Sequence, residues 1–371
     1  MLVKDRTKYL LKLNNRLYLF NRLNKLITFL RNKKKITIKD IAEALGITPS
    51  AVSKALNDHP RISKQTKIAV KEVAKKLNYQ PNNLASALRK GKSNLVGVMI
   101  PRTNSNFFSL AVEKIVERLS KEGYNVIIAQ SNESFERECK NIESLLLIQV
   151  DGIIASMANE TTSLEHYEKI KSKGVPLIMF DRWEDELDVD YVGIDDYKSS
   201  FLVVEHLKQQ NCRRIAHIGG YKHTRIYKKR VKGFKDALKK YELPIDETLI
   251  SESSLLIEDG RRIMSQLLEL PDPPDAVYAA GDFAALGALQ VLEEQGVQVP
   301  EDMALVGFSN ETFTSLVKPS ISTINQRSEL IGTLAAETFL KRVDDSKWDP
   351  KLNKTMIDSE LIIRNSSLKT K

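Results

Sequence analysis

The stretch from Ile36 to Lys92 limits what this chain can be more than any other. Thr37 precedes apolar residues at positions 38, 41, 42 and 45, a helical period, and Asp40 follows it by three residues as in a capping box. Gly46 stops this helix. Thr48 caps a second one, and Pro49 sits at its first position, where a missing N–H does no harm. Two helices joined by a short glycine-containing turn form a helix-turn-helix. The second helix, Pro49 to about Leu56, is read with Ser50, Ala51, Ser53, Lys54 and Asn57 outward and with Val52 and Leu56 inward. Small, polar and basic side chains of this kind fit a major groove and reach base edges. A third helix is predicted from a Ser63 cap to about Leu77, with Ile68, Val70, Val73, Ala74 and Leu77 closing a small core.

Charge is divided along the chain in a way that agrees. Residues 1–92 hold 22 Lys and Arg against 5 Asp and Glu, a balance of +17, whereas the remainder carries −8. A basic head on an acidic body points to a polyanionic partner for the head alone, and the helix-turn-helix favours DNA over membrane phosphates.

The same stretch resembles the headpiece of the lactose-repressor/galactose-repressor (LacI/GalR) family of bacterial transcription factors. The matching residues are Thr37, Asp40-Ile41-Ala42, Gly46-Ile47-Thr48, Val52-Ser53, Ser63, Thr66, Val70, Leu77-Asn78-Tyr79, Pro81-Asn82, Ala85 and Leu88. A bare helix-turn-helix is weakly specific; its coupling to Asn78-Tyr79-Gln80-Pro81-Asn82 and a following short helix is strongly so. The resemblance implies that this short helix, within 82–92, is a hinge that orders when two copies pair in the minor groove. Leu88 matches the leucine wedge that kinks the duplex, and Ala85 the small residue beside it. The DNA-contacting candidates are Thr37, Thr48, Pro49, Ser50, Ala51, Ser53, Lys54, Asn57, Ser63, Thr66, Tyr79, Asn82, Ala85 and Leu88.

Residues 1–35 form a basic, leucine-rich segment without an apolar run long enough for a membrane span and without a signal-peptide pattern. Three readings fit: a surface amphipathic helix, an extra basic arm on DNA, or a translated region upstream of a natural start. The resemblance puts the last first, because family members usually begin near the motif at Thr37.

From Asn94 onward, apolar strand-like runs alternate with helical periods. LVGVMI at 95–100, VIIA at 126–129, GIIASM at 152–157 and PLIMFD at 176–181 are followed by YVGID, RIAHIGG, AVYAAGD and MALVGFS, with helices between the runs within each set and two of them between RIAHIGG and AVYAAGD. Such alternation predicts right-handed βαβ units and parallel sheets in two sets, an α/β body behind the helical head. The resemblance implies a two-lobed periplasmic-binding-protein type of effector domain over 93–367, with three crossings near Asp195, Thr323 and Asn353. Lobe one is then about 94–195 plus 324–352, and lobe two about 196–323 plus 353–367, with the head over 36–81.

In open α/β sheets ligands bind beyond the carboxyl ends of strands. Polar and aromatic residues there make Asn106, Phe108, Asp181, Trp183, Asp282, Ser309 and Asn310 effector-binding candidates. Arg230, in Arg230-Val231-Lys232-Gly233-Phe234, matches the family's effector-binding arginine. Ser309 stands where many family members have Asp, which weakens that carry-over and gives Asn310 a claim to the role. Carboxylates, guanidiniums and aromatic faces together suit a sugar or sugar derivative.

Catalysis and cofactors find little support. His59, His166, His206, His217 and His223 show no metal spacing, and no nucleophile elbow, Walker loop or dinucleotide fingerprint occurs. Cys139 and Cys212 are far apart and suit a reducing cytosol. No heptad tail closes the chain, so no C-terminal coiled coil is expected. The expectation is a cytoplasmic, non-enzymatic, homodimeric regulator with no cofactor, metal or membrane, binding a palindromic DNA operator in response to a sugar-like effector. The rival is a sugar- or nucleoside-sensing protein whose output is a protein partner.

Overall fold

The computed structural model describes residues 36–79, 92–344 and 351–369. The extension at 1–35 lies outside these residues, as does the expected hinge helix up to Gly91, with Asn82, Ala85 and Leu88. The chain divides into two compact units, one ending at Gly91 and the other starting at Lys92.

The head consists of α1 (Ile38–Leu45), α2 (Pro49–Leu56) and α3 (Lys64–Lys76). The Thr37 N–H and hydroxyl both donate to Asp40 Oδ2, at 2.6 and 2.7 Å. Gly46 ends α1 in the left-handed region at φ 62°, where a Cβ would be strained. Thr48 Oγ1 accepts from Ala51 N at 3.2 Å and Ser63 Oγ from Thr66 N at 3.1 Å, so α2 and α3 are capped as their sequences require. Ile41, Ala42, Val52, Ala55, Val70 and Ala74 form the buried centre, flanked by the partly buried Leu56, Val73, Leu77 and Tyr79. Ile68 departs from expectation: it is 57% exposed. Two residues before Val70 on a 3.6-residue period, it faces the opposite side of α3.

In the body, β1 (Leu95–Ile100), α4 (Asn106–Ser120), β2 (Asn125–Gln130), α5 (Phe135–Leu147), β3 (Gly152–Ala155), α6 (Glu165–Ser172), β4 (Leu177–Phe180) and β5 (Asp190–Ile194) build the first lobe. The second holds α7 (Asp196–Gln209), β6 (Ile215–Gly219), α8 (Arg225–Lys240), β7 (Ile250–Glu252), α9 (Ile257–Leu268), β8 (Ala276–Ala279), α10 (Asp282–Glu294), β9 (Ala304–Phe308) and β10 (Ser322–Asn325). The chain then gives α11 (Ser328–Val343) back to lobe one, followed by β11 (Lys354–Ile357) and β12 (Glu360–Ile362). Sheet one has the order β11-β5-β4-β3-β1-β2 and is parallel throughout; sheet two has the order β12-β10-β9-β8-β6-β7, parallel except for β12. Strands such as β3, β4, β8 and β9 are buried along their whole length, the signature of sheets covered by helices on both faces.

The first crossing falls between Ile194 and Asp196, close to the expected Asp195, and the second after Asn325, just beyond Thr323. The third requires correction. Residues 354–357 belong to lobe one, pairing in parallel with β5 at Lys354↔Tyr191 through Ile357↔Ile194. Asp190 explains why: its carboxylate accepts from Asn353 N at 2.7 Å and from Arg342, pinning this segment to sheet one. The chain therefore crosses between Ile357 and Glu360, not near Asn353.

Candidate functional site

On the head, the outer face of α2 presents exposed Ser50, Lys54 and Asn57, with Ala51 and Ser53 half-buried beside them. Thr37, Thr48, Pro49 and Ser63 are exposed and Thr66 half-buried at the caps of the three helices. Asn57 Nδ2 donates back to Ser53 O at 2.8 Å. Tyr79 leans on the head core after Asn78, which turns the chain at φ 51°. Polar and basic groups on one helix face, with the apolar face consumed by a three-helix core, suit insertion into a DNA groove.

A second candidate site opens between the two lobes, at the carboxyl ends of the strands, as a cavity of about 90 Å³. Of the eight effector candidates, Phe108, Asp181, Arg230, Asp282 and Ser309 line it. Phe108, in the first turn of α4, is held edge-on against Phe107 and Phe180. Asp181 follows β4 in a left-handed conformation, φ 60°, and is buried. Burial pushes its carboxyl up to about 6. Arg230 is brought in by α8, which closes on α7 because Gly233 has no Cβ to meet Tyr197 O. Its Nε donates to Asp196 Oδ1 at 2.8 Å and its Nη1 to Ala280 O at 2.9 Å, while the guanidinium lies 3.6 Å over the Phe308 ring. Asp282 opens α10; Thr323 Oγ1 and Glu311 N both donate to it at 2.7 Å, and burial pushes its carboxyl up to about 7. Ser309 Oγ accepts from Gln326 Nε2 at 3.0 Å.

Three candidates are placed elsewhere. Trp183 is stacked on Tyr191 at 3.2 Å between ring centroids and covered by the Arg225 guanidinium at 3.6 Å. Asn310 Oδ1 accepts from Arg364 Nη2 at 2.9 Å. Asn106 turns its amide toward Asn310 O while its backbone N–H donates to Glu311. Arg102, Glu133, Arg182, Glu311 and Gln326 also line the cavity and were not singled out as candidates from the sequence. Arg182 Nη1 donates to Glu133 Oε2 at 2.7 Å, and Arg102 Nε lies 3.2 Å from Glu133 Oε1. Arg102, Arg182 and Glu311 carried a sequence signal, each standing just beyond a strand end.

The lobes also touch directly. Ser105 Oγ donates to Glu311 Oε1 at 2.7 Å, His223 Nε2 is 2.5 Å from Asn159 O, and Arg225 donates to Glu184 and Asp185.

Residues 37–82 match the model of bacterial regulatory proteins of the lacI family, and residues 204–367 match a periplasmic binding protein-like domain. The chain is 30% identical over 334 residues to the HTH-type transcriptional regulator DegA of Bacillus subtilis (strain 168), covering 90% of this chain and 98% of that one. The chain belongs to the lacI family of bacterial regulatory proteins. As a lacI-family member it is a DNA-binding transcription regulator and not an enzyme. Two solved structures place this lacI-family chain among its relatives. A transcriptional regulator CelR–cellobiose complex is 27% identical, with a TM-score of 0.68 over 90% of this chain and all of that one. The lac repressor dimer bound to operator and the anti-inducer ONPF shares the fold, with a TM-score of 0.79 at 24% identity over 91% of this chain and all of that one. No helix among the described residues is long and apolar enough to cross a membrane, and none of them form a metal-binding cluster of His, Cys, Asp and Glu.

Proposed function

We propose that the chain is a cytoplasmic repressor that binds a palindromic operator as a homodimer and is switched by a sugar-like effector held between its lobes. The observation that carries the effector half is the convergence of Phe108, Asp181, Arg230 and Asp282 on one interlobe cavity. An aromatic face beside carboxylates and a guanidinium is the chemistry that grips a polyhydroxylated ring, apolar on its faces and hydrogen-bonding at its rim. That the CelR structure is a cellobiose complex agrees with this reading. The dimer half rests on size: one three-helix head offers a small interface, and two heads about a two-fold axis read two half-sites. The residues proposed to touch DNA are those on and around α2, from Thr37 to Thr66, with Tyr79, Asn82, Ala85 and Leu88.

The effector acts only through its different affinity for the two lobe arrangements, a coupling of about 1–3 kcal/mol in typical cases. The test is operator binding with and without a sugar identified by thermal shift. Arg230→Ala should abolish the sugar's influence on DNA affinity while sugar-free operator binding stays near normal. Unchanged sugar affinity by calorimetry in both Arg230→Ala and Asp282→Ala would place the effector elsewhere.

A further inference from the structure

The charges around the interlobe cavity bear on the effector's own charge, an argument that rests on reading this cavity as the effector site. Three guanidiniums line it, and each is already engaged by a carboxylate of the chain. Arg182 and Arg102 share Glu133, at 2.7 and 3.2 Å, and Arg230 holds Asp196 at 2.8 Å. Three further carboxylates face the same space: Asp181, Asp282 and Glu311. The three guanidiniums share two carboxylates, Glu133 and Asp196, and a phosphate or carboxylate entering the cavity would also meet three further carboxyls, none of which has an arginine within hydrogen-bond distance among the described residues.

Glu311 sharpens this. The N-terminus of α4 is the place in the cavity wall best suited to an anion, because its free N–H groups and helix dipole point there. The chain fills it with its own side chain. Glu311 Oε1 accepts from Ser105 Oγ at 2.7 Å, and Oε2 from Asn106 N at 2.9 Å. Glu311 is itself buried, and its backbone N–H donates to Asp282, so the two carboxylates are held as one unit. Asp181 supplies the complementary need. It is only 8% exposed, its carboxyl oxygens accept no hydrogen bond among the described residues, and the nearest cationic atom, Arg182 Nε, is 3.8 Å away. A buried carboxylate of this kind requires donors, and ligand hydroxyls provide them. A cationic ligand gains less, because Arg102 and Arg182 line the cavity and have one carboxylate, Glu133, between them.

We infer that the site takes an uncharged polyhydroxylated effector, a free sugar rather than a sugar phosphate or sugar acid, and that Glu311 sets this preference by occupying the α4 N-terminus as a built-in anion. Glu311 is thus a specificity-determining residue for the charge of the effector.

The experiment uses the full chain and calorimetry with D-glucose, D-galactose, D-ribose and cellobiose, each of the three monosaccharides beside its phosphate ester and each of the two hexoses also beside its uronic acid. The tightest wild-type binder should be neutral, with its anionic counterpart weaker by about tenfold or more, the scale of one like-charge contact. In Glu311→Gln, which keeps the side chain's size but not its charge, that gap should narrow by about tenfold. An anionic counterpart that binds wild type as tightly as its neutral parent overturns the inference. A gap unchanged in Glu311→Gln removes Glu311 from it. Phe108→Ala separates the two levels of argument: a sugar whose affinity survives it binds outside the cavity, and the reading of the site fails. An anionic sugar lost with Phe108→Ala leaves the site standing and sinks only the charge preference.

Discussion

Asp282 and Asp181 are the residues whose ionisation the protein has disturbed most usefully. Both carboxyls are raised by burial, to about 7 and about 6. A carboxyl whose folded value exceeds its unfolded one binds protons more tightly in the native state, so this contribution to stability is full below about pH 4 and is lost as pH rises toward 7. The buried His217, lowered to about 4, works in the opposite sense and withdraws stability as pH falls below the usual histidine range. The difference between variants isolates the carboxyls. Thermal melts from pH 4.5 to 8 should show a smaller loss on raising the pH in Asp282→Asn than in the wild type; equal losses would mean Asp282 is not protonated in the native state at acid pH. Strand-end logic brought Phe108, Asp181, Asp282 and Ser309 to the cavity because position along a βα unit fixes which side chains reach its mouth, whereas Arg230, inside α8, came from the family resemblance. Strand-end logic missed Glu133 and Glu311 because their partners, Arg182 and the α4 N-terminus, are distant in sequence. Trp183 looked like a ring for a ligand, but Tyr191 and Arg225 use both its faces.

Elements with strong periods were legible, and short polar ones were not. The long apolar strands and the capped helices of the head stand close to where their sequences put them. The three-residue β7 and the half-exposed β11 and β12 have neither length nor alternation, so the third crossing was misplaced. Packing between helices α7 and α8 leads to a prediction. Gly233→Ala would drive a Cβ into Tyr197 O, backbone that cannot swing aside. Overpacking of this kind costs about 1–3 kcal/mol, and separating α8 from α7 displaces Arg230 from Asp196. The variant should therefore lose both melting temperature and sugar affinity, whereas Lys232→Ala, one residue earlier and exposed, should lose neither. In the head, Thr48→Ala removes the α2 cap and should cost about 1 kcal/mol in denaturant melts of the head. For the expected hinge helix, Leu88→Ala should reduce affinity for operator far more than for random DNA, because it removes a wedge and leaves the charges; equal losses in a filter-binding comparison would remove the wedge.

At the level of the whole molecule, the division of charge makes DNA binding steeply dependent on salt. A slope of log affinity against log salt near zero would contradict a head that neutralises several phosphates. Deleting residues 1–35 tests the extension in the same assay. Unchanged operator affinity in ordinary salt is expected if the functional chain starts near Thr37, and a large loss would give those residues a role. The three passages of the chain between lobes, after β5, after β10 and after β11, also govern the order in which the protein is made. When β10 leaves the ribosome, lobe one still lacks α11, whose Phe339 packs against Gly152, and lacks the sheet edge supplied by β11. Lobe two still waits for β12 to pair with β10. Lobe one gains its last strand with β11 and lobe two only with β12, so a message truncated before β11 yields a regulator with neither lobe finished, and one truncated between β11 and β12 still leaves lobe two without its edge.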